Sequence, residues 1–125
     1  MLALIDLGVG HRIVFPNPFP GEIGLASSRG IISYRAIQAI YQAWRVYNLV
    51  DGNRDARIVE VGAGLGRTAF YAATFGLHNY TIVDLPLSSV AQGYFLGRTL
   101  GPGAIRLYKE QLRNCHLTST GVLEL

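Results

Sequence analysis

The sequence contains a single cysteine, Cys115, among its 125 residues. One cysteine excludes an internal disulfide and a metal site built from cysteine ligands, and no metal is expected. Such low cysteine usage is typical of proteins in a reducing compartment, so we expect a cytoplasmic protein. Half of the residues are hydrophobic, and a chain of this length can bury about two thirds of its unfolded surface around one core.

Charged residues and long apolar runs are also scarce. Only 15% of the residues are charged and the net charge is +3, with the basic residues scattered rather than gathered into the patch that binds nucleic acid. No apolar run reaches the roughly 18 uncharged residues of a membrane span. The apolar N-terminus carries Asp6 and lacks a basic leader, which is unlike a signal peptide. We therefore expect neither nucleic acid nor a membrane as a partner.

The most informative stretch is a strand-like run followed by three glycines and a helix-like run. The β-branched residues of Ile58–Val61 predict a strand that is covered on both faces. A strand, a glycine-rich turn and a helix over residues 68–75 form the opening of a nucleotide-binding βαβ unit. In such a unit one glycine permits the tight turn, one lets a ligand approach the backbone, and one allows close packing of helix and strand. The glycines are Gly62, Gly64 and Gly66.

The spacing of these glycines differs from that of a dinucleotide-binding fingerprint. The fingerprint reads G-x-G-x-x-G/A, which would put its third small residue at Arg67. A bulky arginine is poorly suited to the close contact of helix and strand that the third glycine makes. The pattern here is G-x-G-x-G, preceded by an acid at Glu60. A nicotinamide-dependent oxidoreductase half-domain is therefore an alternative that Arg67 disfavours.

A second strand-like run ends in an acid. Residues 79–84 read Asn-Tyr-Thr-Ile-Val-Asp, and Leu85 and Pro86 follow directly. An acid about 20 residues after the glycine turn, at the end of the second strand, is placed to accept hydrogen bonds from ribose hydroxyls. Asp84 is therefore a candidate ribose ligand. The structural alternative is that Asp84 caps the helix that starts near Pro86.

These motifs resemble those of a known enzyme superfamily. Glu60 with the glycine turn resembles the first motif of the class I S-adenosylmethionine-dependent methyltransferases, and the run Tyr-Thr-Ile-Val-Asp-Leu-Pro is similar to the second motif of small-molecule O-methyltransferases. With Tyr94-Phe95-Leu96, the sequence most resembles the sugar O-methyltransferase group over residues 31–110. The resemblance implies an α/β fold with a Rossmann-like doubly wound parallel sheet, S-adenosyl-L-methionine as the cofactor, and a sugar or another small-molecule hydroxyl as the methyl acceptor.

The resemblance also implies roles for particular residues. Glu60 would order the turn and reach the cofactor's amino group through water, Asp84 would bind the ribose diol, and Leu85 would lie against the adenine. Glu110 would approach the adenine amino group, and either Tyr34 or Arg35 would contact the carboxylate end. The cofactor-binding residues implied in this way are Glu60, Gly62, Ala63, Gly64, Gly66, Asp84 and Leu85.

The rest of the chain divides into an arm and the body of the domain. Prolines mark residues 1–30 as an extended N-terminal arm, and residues 31–125 form the N-terminal half of a cofactor-binding domain. The body begins with a helix over residues 31–50, capped by Ser27 or Ser28, and continues with a helix over 87–100, a strand over 104–108 and a short strand over 122–125. An apolar and aromatic stripe on the first helix is expected to pack on the core. Its members are Tyr34, Ile37, Ile40, Tyr41, Trp44 and Tyr47.

The predicted strands leave the sheet incomplete. In a doubly wound sheet Ile58–Val61 needs a further neighbour, because an apolar strand on an open edge invites aggregation. Residues 122–125 or the N-terminal arm would cover that edge, or the chain is a fragment, which we favour. No catalytic base stands out, because His11, His78 and His116 have no pairing context, and we expect no convincing activity from this chain alone. A non-catalytic α/β binding domain is a further alternative, and the sequence does not indicate the oligomeric state.

Overall fold

A computed structural model of the protein describes residues 2–107 and the backbone of residues 123–124. The predictions for Glu110, Cys115 and His116 lie outside the described residues. The described part is a mixed α/β structure, as expected for its class. It contains the helices α1 (Leu2–Val9), α2 (Tyr34–Leu49), α3 (Arg67–Thr74) and α4 (Pro86–Leu100), and the strands β1 (Leu25–Ser27), β2 (Gly30–Ile32), β3 (Ile58–Val61), β4 (Tyr80–Val83), β5 (Ile105–Arg106) and β6 (Leu123–Glu124).

The larger of the two sheets is parallel, with the strand order β3-β4-β6-β5. Strands β3 and β4 pair over their full length, so that Ile58 lies opposite Tyr80 and Val61 opposite Val83. Strand β6 lies between β4 and β5 and pairs with both in parallel. The strand predicted near the end of the sequence is therefore confirmed, and its neighbours are β4 and β5.

Strand β3 lies at the edge of this sheet and is covered on one face only. Neither of the two expected covers, residues 122–125 and the N-terminal arm, pairs with the free edge of β3 in the part of the chain that the structure describes. Strand β6 pairs with β4 and β5 instead, and the N-terminal arm forms an isolated β-bridge between Phe15 and Gly30. Val59 and Val61 are 65% and 78% exposed. The prediction of a strand covered on both faces was wrong for the described residues, because the packed core lies on the opposite face, with Ile82.

Helix α2 starts later than predicted because a hairpin precedes it. Strands β1 and β2 pair antiparallel, and they take up the residues that were expected to cap and begin the helix. The N-cap is Ser33, whose side-chain oxygen accepts a hydrogen bond from the Ala36 N–H at 3.3 Å. The hairpin also crosses the proposed boundary at residue 30, and the division of the chain there remains a prediction.

The buried residues of α2 are three alanines and Ile40 of the predicted stripe, and Trp44 and Tyr47 of the stripe are partly buried against the core. Tyr34 and Tyr41 are 72% and 55% exposed, so the predicted burial of the stripe was wrong for them. The small side chains allow α2 to approach α3 closely, because the distance between packed helices depends on the side chains at their contact. The alanines of the two helices that lie in the core are Ala36, Ala39 and Ala43 on α2, with Ala69, Ala72 and Ala73 on α3.

The N-terminal segment is partly helical and is tied to the domain. Helix α1 lies where an extended arm was predicted. Asp6 on α1 accepts hydrogen bonds from the Ile13 N–H at 2.9 Å and from the Arg29 guanidinium at 2.7 Å. Ile13 and Phe15 are buried in the core, which anchors the segment to the rest of the fold. None of the helices that the structure describes has the length and apolar character of a membrane span.

Candidate functional site

The glycine turn connects β3 to α3 in a conformation that suits glycine. Gly62, Gly64 and Gly66 have φ angles of 73°, 59° and 84°, in the left-handed region that other residues avoid. The Gly62 N–H donates to the Val83 carbonyl oxygen at 3.0 Å. The turn, called the glycine loop below for residues 62–66, is therefore held against the carboxyl end of β4.

The second and third glycines serve different purposes. A Cβ added to Gly64 would meet no atom of the described residues within 4 Å, so the space in front of this residue is open. A Cβ added to Gly66 would lie 3.2 Å from Leu96 Cδ1 and 3.7 Å from Gln92 Cγ. The glycine that allows close packing is therefore Gly66, and its partner is α4 rather than the preceding strand.

Asp84 follows β4 and faces the glycine loop. Its Oδ1 accepts from the Leu85 N–H at 2.8 Å and its Oδ2 from Gln92 Nε2 at 2.7 Å. The Leu85 N–H contributes most to holding the pKa of Asp84 below its ordinary value, and the Gln92 and Ser88 side chains and the Gly64 N–H act in the same direction, against partial desolvation. Asp84 is therefore a carboxylate at neutral pH. Its bond to Leu85 also fixes the start of α4, which is a structural role.

Gln92 on α4 is a site residue that the sequence reasoning missed. It is fully buried, and its side-chain amide donates to the Gly64 carbonyl oxygen at 2.9 Å as well as to Asp84. A signal was present in the sequence, because Gln92 precedes the buried Phe95 and Leu96 by three and four residues. It is thus a polar residue on the apolar face of a helix.

Glu60 lies behind the glycine loop on the core face of β3. Its Oε2 accepts a hydrogen bond from the Tyr80 hydroxyl at 2.9 Å. Burial raises the pKa of Glu60 above its ordinary value and the charge of Asp84 adds to the rise, while hydrogen bonds from Tyr80 and Thr68 oppose it. Burial likewise raises the pKa of Tyr80, together with the charge and the hydrogen bond of Glu60. Glu60 and Asp84 are therefore close enough to influence each other.

An exposed apolar surface adjoins the charged end of β4. Leu85 is 73% exposed, and Val61, Val83 and Leu87 are exposed as well. Ala63, in contrast, is partly buried and packs against the core. The structure thus brings together six of the predicted site residues around the carboxyl ends of β3 and β4, while Gly66 lies beneath α4.

The arginines near the loop have protein partners. Arg35 Nε donates to the Tyr34 hydroxyl at 3.0 Å, and both side chains are exposed. Arg67, the residue directly after the loop, forms an ion pair with Glu22 at 2.7 Å. Its guanidinium also lies 5.7 Å from the centre of the Phe95 ring. Arg67 therefore connects the N-terminal segment and α4 to the start of α3.

Metal ligation and base catalysis find little support in the described residues. Within residues 2–107 and 123–124, no group of three His, Cys, Asp or Glu residues is arranged to hold a metal ion. The ring of His11 is stacked on Phe75 with centroids 4.9 Å apart, which gives this histidine a packing role.

Comparisons with known proteins found no counterpart for this arrangement. Neither the protein-family models, nor the curated proteins, nor the solved structures gave a match to the chain.

Proposed function

We propose that the chain carries the donor-binding region of an S-adenosylmethionine-dependent O-methyltransferase with a Rossmann-like sheet. The observation that carries this proposal is the position of the glycine loop beside Asp84, at the carboxyl ends of two neighbouring parallel strands. Ligands of open parallel sheets bind outside the carboxyl ends of the strands, with an acid on the ribose and glycines near the rest of the nucleotide.

The residues present fit such a cofactor. Open space in front of Gly64 leaves the loop backbone accessible, and Asp84 is a charged acceptor suited to the two ribose hydroxyls. Leu85 offers an exposed apolar side chain to the adenine, and Glu60 is near enough to Asp84 to order the turn from behind. When bound, S-adenosyl-L-methionine supplies an electrophilic methyl group on a sulfonium.

The contribution of this chain is to bind and orient the donor. Methyl transfer to a hydroxyl requires the acceptor oxygen to lie about 3–3.5 Å from the methyl carbon, in line with the bond that breaks. The acceptor's proton passes to a base or to water. A sugar or another small-molecule hydroxyl is the proposed acceptor, on the strength of the resemblance that includes Tyr94-Phe95-Leu96.

The proposal is tested by calorimetric titration of the folded chain with S-adenosylhomocysteine and, in parallel, with NADH. We expect binding of the first and none of the second. Asp84→Ala should weaken the binding of S-adenosylhomocysteine about tenfold to a hundredfold, because a charged hydrogen-bond acceptor is lost. The matched control is Asp55→Ala, which removes an exposed acid that precedes β3, whereas the loop follows that strand, and it should leave the affinity unchanged.

Each other outcome points to a different class of protein. An unchanged affinity in folded Asp84→Ala would contradict the ribose role. Binding of NADH instead would move the protein to the oxidoreductases, and a folded chain that binds neither ligand would favour a non-catalytic binding domain. Methyl transfer to a sugar hydroxyl, measured with labelled donor, would establish the acceptor class.

A further inference from the structure

The side chain of Gln92 links the two halves of the candidate donor site. Its two amide hydrogens serve two acceptors that come from different strands: the Gly64 carbonyl oxygen at 2.9 Å, after β3, and Asp84 Oδ2 at 2.7 Å, after β4. Gln92 is fully buried and both bonds are partly buried, so water competes less for them than for exposed bonds. One amide group therefore sets the distance between the glycine loop and the carboxylate.

Packing alone does not explain why the buried residue at position 92 carries an amide group. Gln92 Oε1 is buried and has no hydrogen-bond partner among the residues that the structure describes, and such an acceptor destabilises a fold. An apolar side chain of similar size would fill the space without that cost. A Cβ at Gly66 would be in ordinary van der Waals contact with Gln92 Cγ, at 3.7 Å, so the packing at this point does not require an amide. The amide is thus explained by the two bonds it donates.

We propose that Gln92 is a positioning residue that holds the Gly64 carbonyl and the Asp84 carboxylate in the arrangement that binds the nucleoside part of the donor. Both groups carry negative or partial negative charge, so without the NH₂ group between them they repel each other, and Asp84 Oδ2 loses its amide donor while Oδ1 keeps the Leu85 N–H. Gln92 acts through Asp84 and touches no reacting atom. The inference rests on the proposed function, and it adds the residue on which recognition of the ribose depends.

The test compares the affinity of S-adenosylhomocysteine for the wild type and for Gln92→Met, which keeps the volume and removes both donors. We expect the variant to bind about tenfold to a hundredfold more weakly, as for the loss of a hydrogen bond to a charged group. Leu96→Met is the matched control, because Leu96 lies one turn along the same face of α4, is equally buried and donates no side-chain hydrogen bond. In an Asp84→Ala background, Gln92→Met should cause a smaller loss than in the wild type, because the part of its effect that acts through Asp84 is already gone.

A second measurement separates failure of this inference from failure of the proposed function. In the ligand-free protein, carbon NMR of the Asp84 carboxyl group should show a higher pKa in Gln92→Met than in the wild type, with Glu60, the other carboxylate near Asp84, present in both. If the wild type does not bind S-adenosylhomocysteine, the proposed function fails and this titration alone decides the positioning role. Wild-type affinity in folded Gln92→Met, or an unchanged Asp84 pKa, would overturn the inference.

If Gln92→Met does not fold, Gln92→Asn takes its place, because its shorter side chain reaches only one of the two acceptors and should weaken binding in the same direction.

Discussion

Substituting Gly64 and Gly66 by alanine should damage the protein in two different ways. Both residues have positive φ angles, 59° and 84°, and an alanine held in the left-handed region costs about 1–2 kcal/mol at either position. Among the described residues, the Cβ at Gly66 meets a neighbour, Leu96 Cδ1 at 3.2 Å, while the Cβ at Gly64 meets none within 4 Å. Overpacking of a buried site adds typically about 1–3 kcal/mol. We therefore expect a loss of about 1–2 kcal/mol for Gly64→Ala and about 2–5 kcal/mol for Gly66→Ala.

For ligand affinity we expect the opposite order, with the larger loss in Gly64→Ala and the smaller loss in Gly66→Ala. The side chain at position 64 occupies the space through which a ligand approaches the loop, whereas the side chain at position 66 lies beneath α4. Urea unfolding followed by circular dichroism gives the two stabilities, and titration with S-adenosylhomocysteine gives the two affinities. We expect the larger loss of stability at position 66, the larger loss of affinity at position 64, and no measurable binding in Gly64→Val, whose branched side chain fills more of the approach.

A double substitution isolates the steric contribution at Gly66. Leu96→Ala alone leaves a cavity in the core and costs about 2–5 kcal/mol, but it also removes the atoms that the new Cβ meets. Gly66→Ala combined with Leu96→Ala should therefore be less destabilised than the sum of the two single variants. Equal losses of stability for Gly64→Ala and Gly66→Ala, or strict additivity in the double variant, would refute the packing role. If folded Gly64→Val kept the wild-type affinity for S-adenosylhomocysteine, the glycine loop would be a structural turn with no part in ligand binding.

Two further predictions concern the core. Burial raises the pKa of Glu60, so its contribution to stability is fully present below the pKa of the unfolded chain and is lost as pH rises through the higher pKa of the folded state. Glu60→Gln, which keeps an acceptor for the Tyr80 hydroxyl, should therefore unfold at a higher temperature than the wild type at neutral pH, with the difference shrinking in acid; a difference independent of pH would contradict this. Leu77 is fully buried, and Leu77→Ala should lower the free energy of unfolding by about 2–5 kcal/mol, whereas a loss below 1 kcal/mol in urea unfolding would place Leu77 outside the core.

The local structure of residues 58–100 was predictable because its signals are local. A β-branched run, a glycine turn and a proline near the start of a helix specify their own conformations, and β3, the glycine loop, β4 and α4 lie close to where the sequence indicates. The buried face of α2 was not predictable in the same way. Its buried side combines Ile40 of the predicted stripe with Ala36, Ala39 and Ala43, whereas Tyr34 and Tyr41 of the stripe are exposed. The alanines are buried because α3 presents alanines of its own, and that depends on the partner.

The candidate site shows the same division between local and distant signals. Glu60, Gly64 and Asp84 stand at strand ends, where their chemistry can be read from the sequence. Gln92 lies 28 residues from Gly64 and eight from Asp84, and no local pattern connects it with both. The only sign of its role in the sequence is that Gln92 is a polar residue on the apolar face of α4. What it bonds to is visible only when β3 and β4 are paired.

Arg67 weighs against a dinucleotide for a structural reason that goes beyond glycine spacing. Its guanidinium is held by Glu22 and lies over the ring of Phe95, so position 67 joins three parts of the fold instead of carrying the small residue that the fingerprint requires. The tight contact occurs one residue earlier, at Gly66, and is directed at α4 through Leu96. The third glycine of this pattern therefore makes its close contact with α4, the helix that carries Gln92. Gln92 in turn bonds both the loop and Asp84, at the place where the donor is proposed to bind.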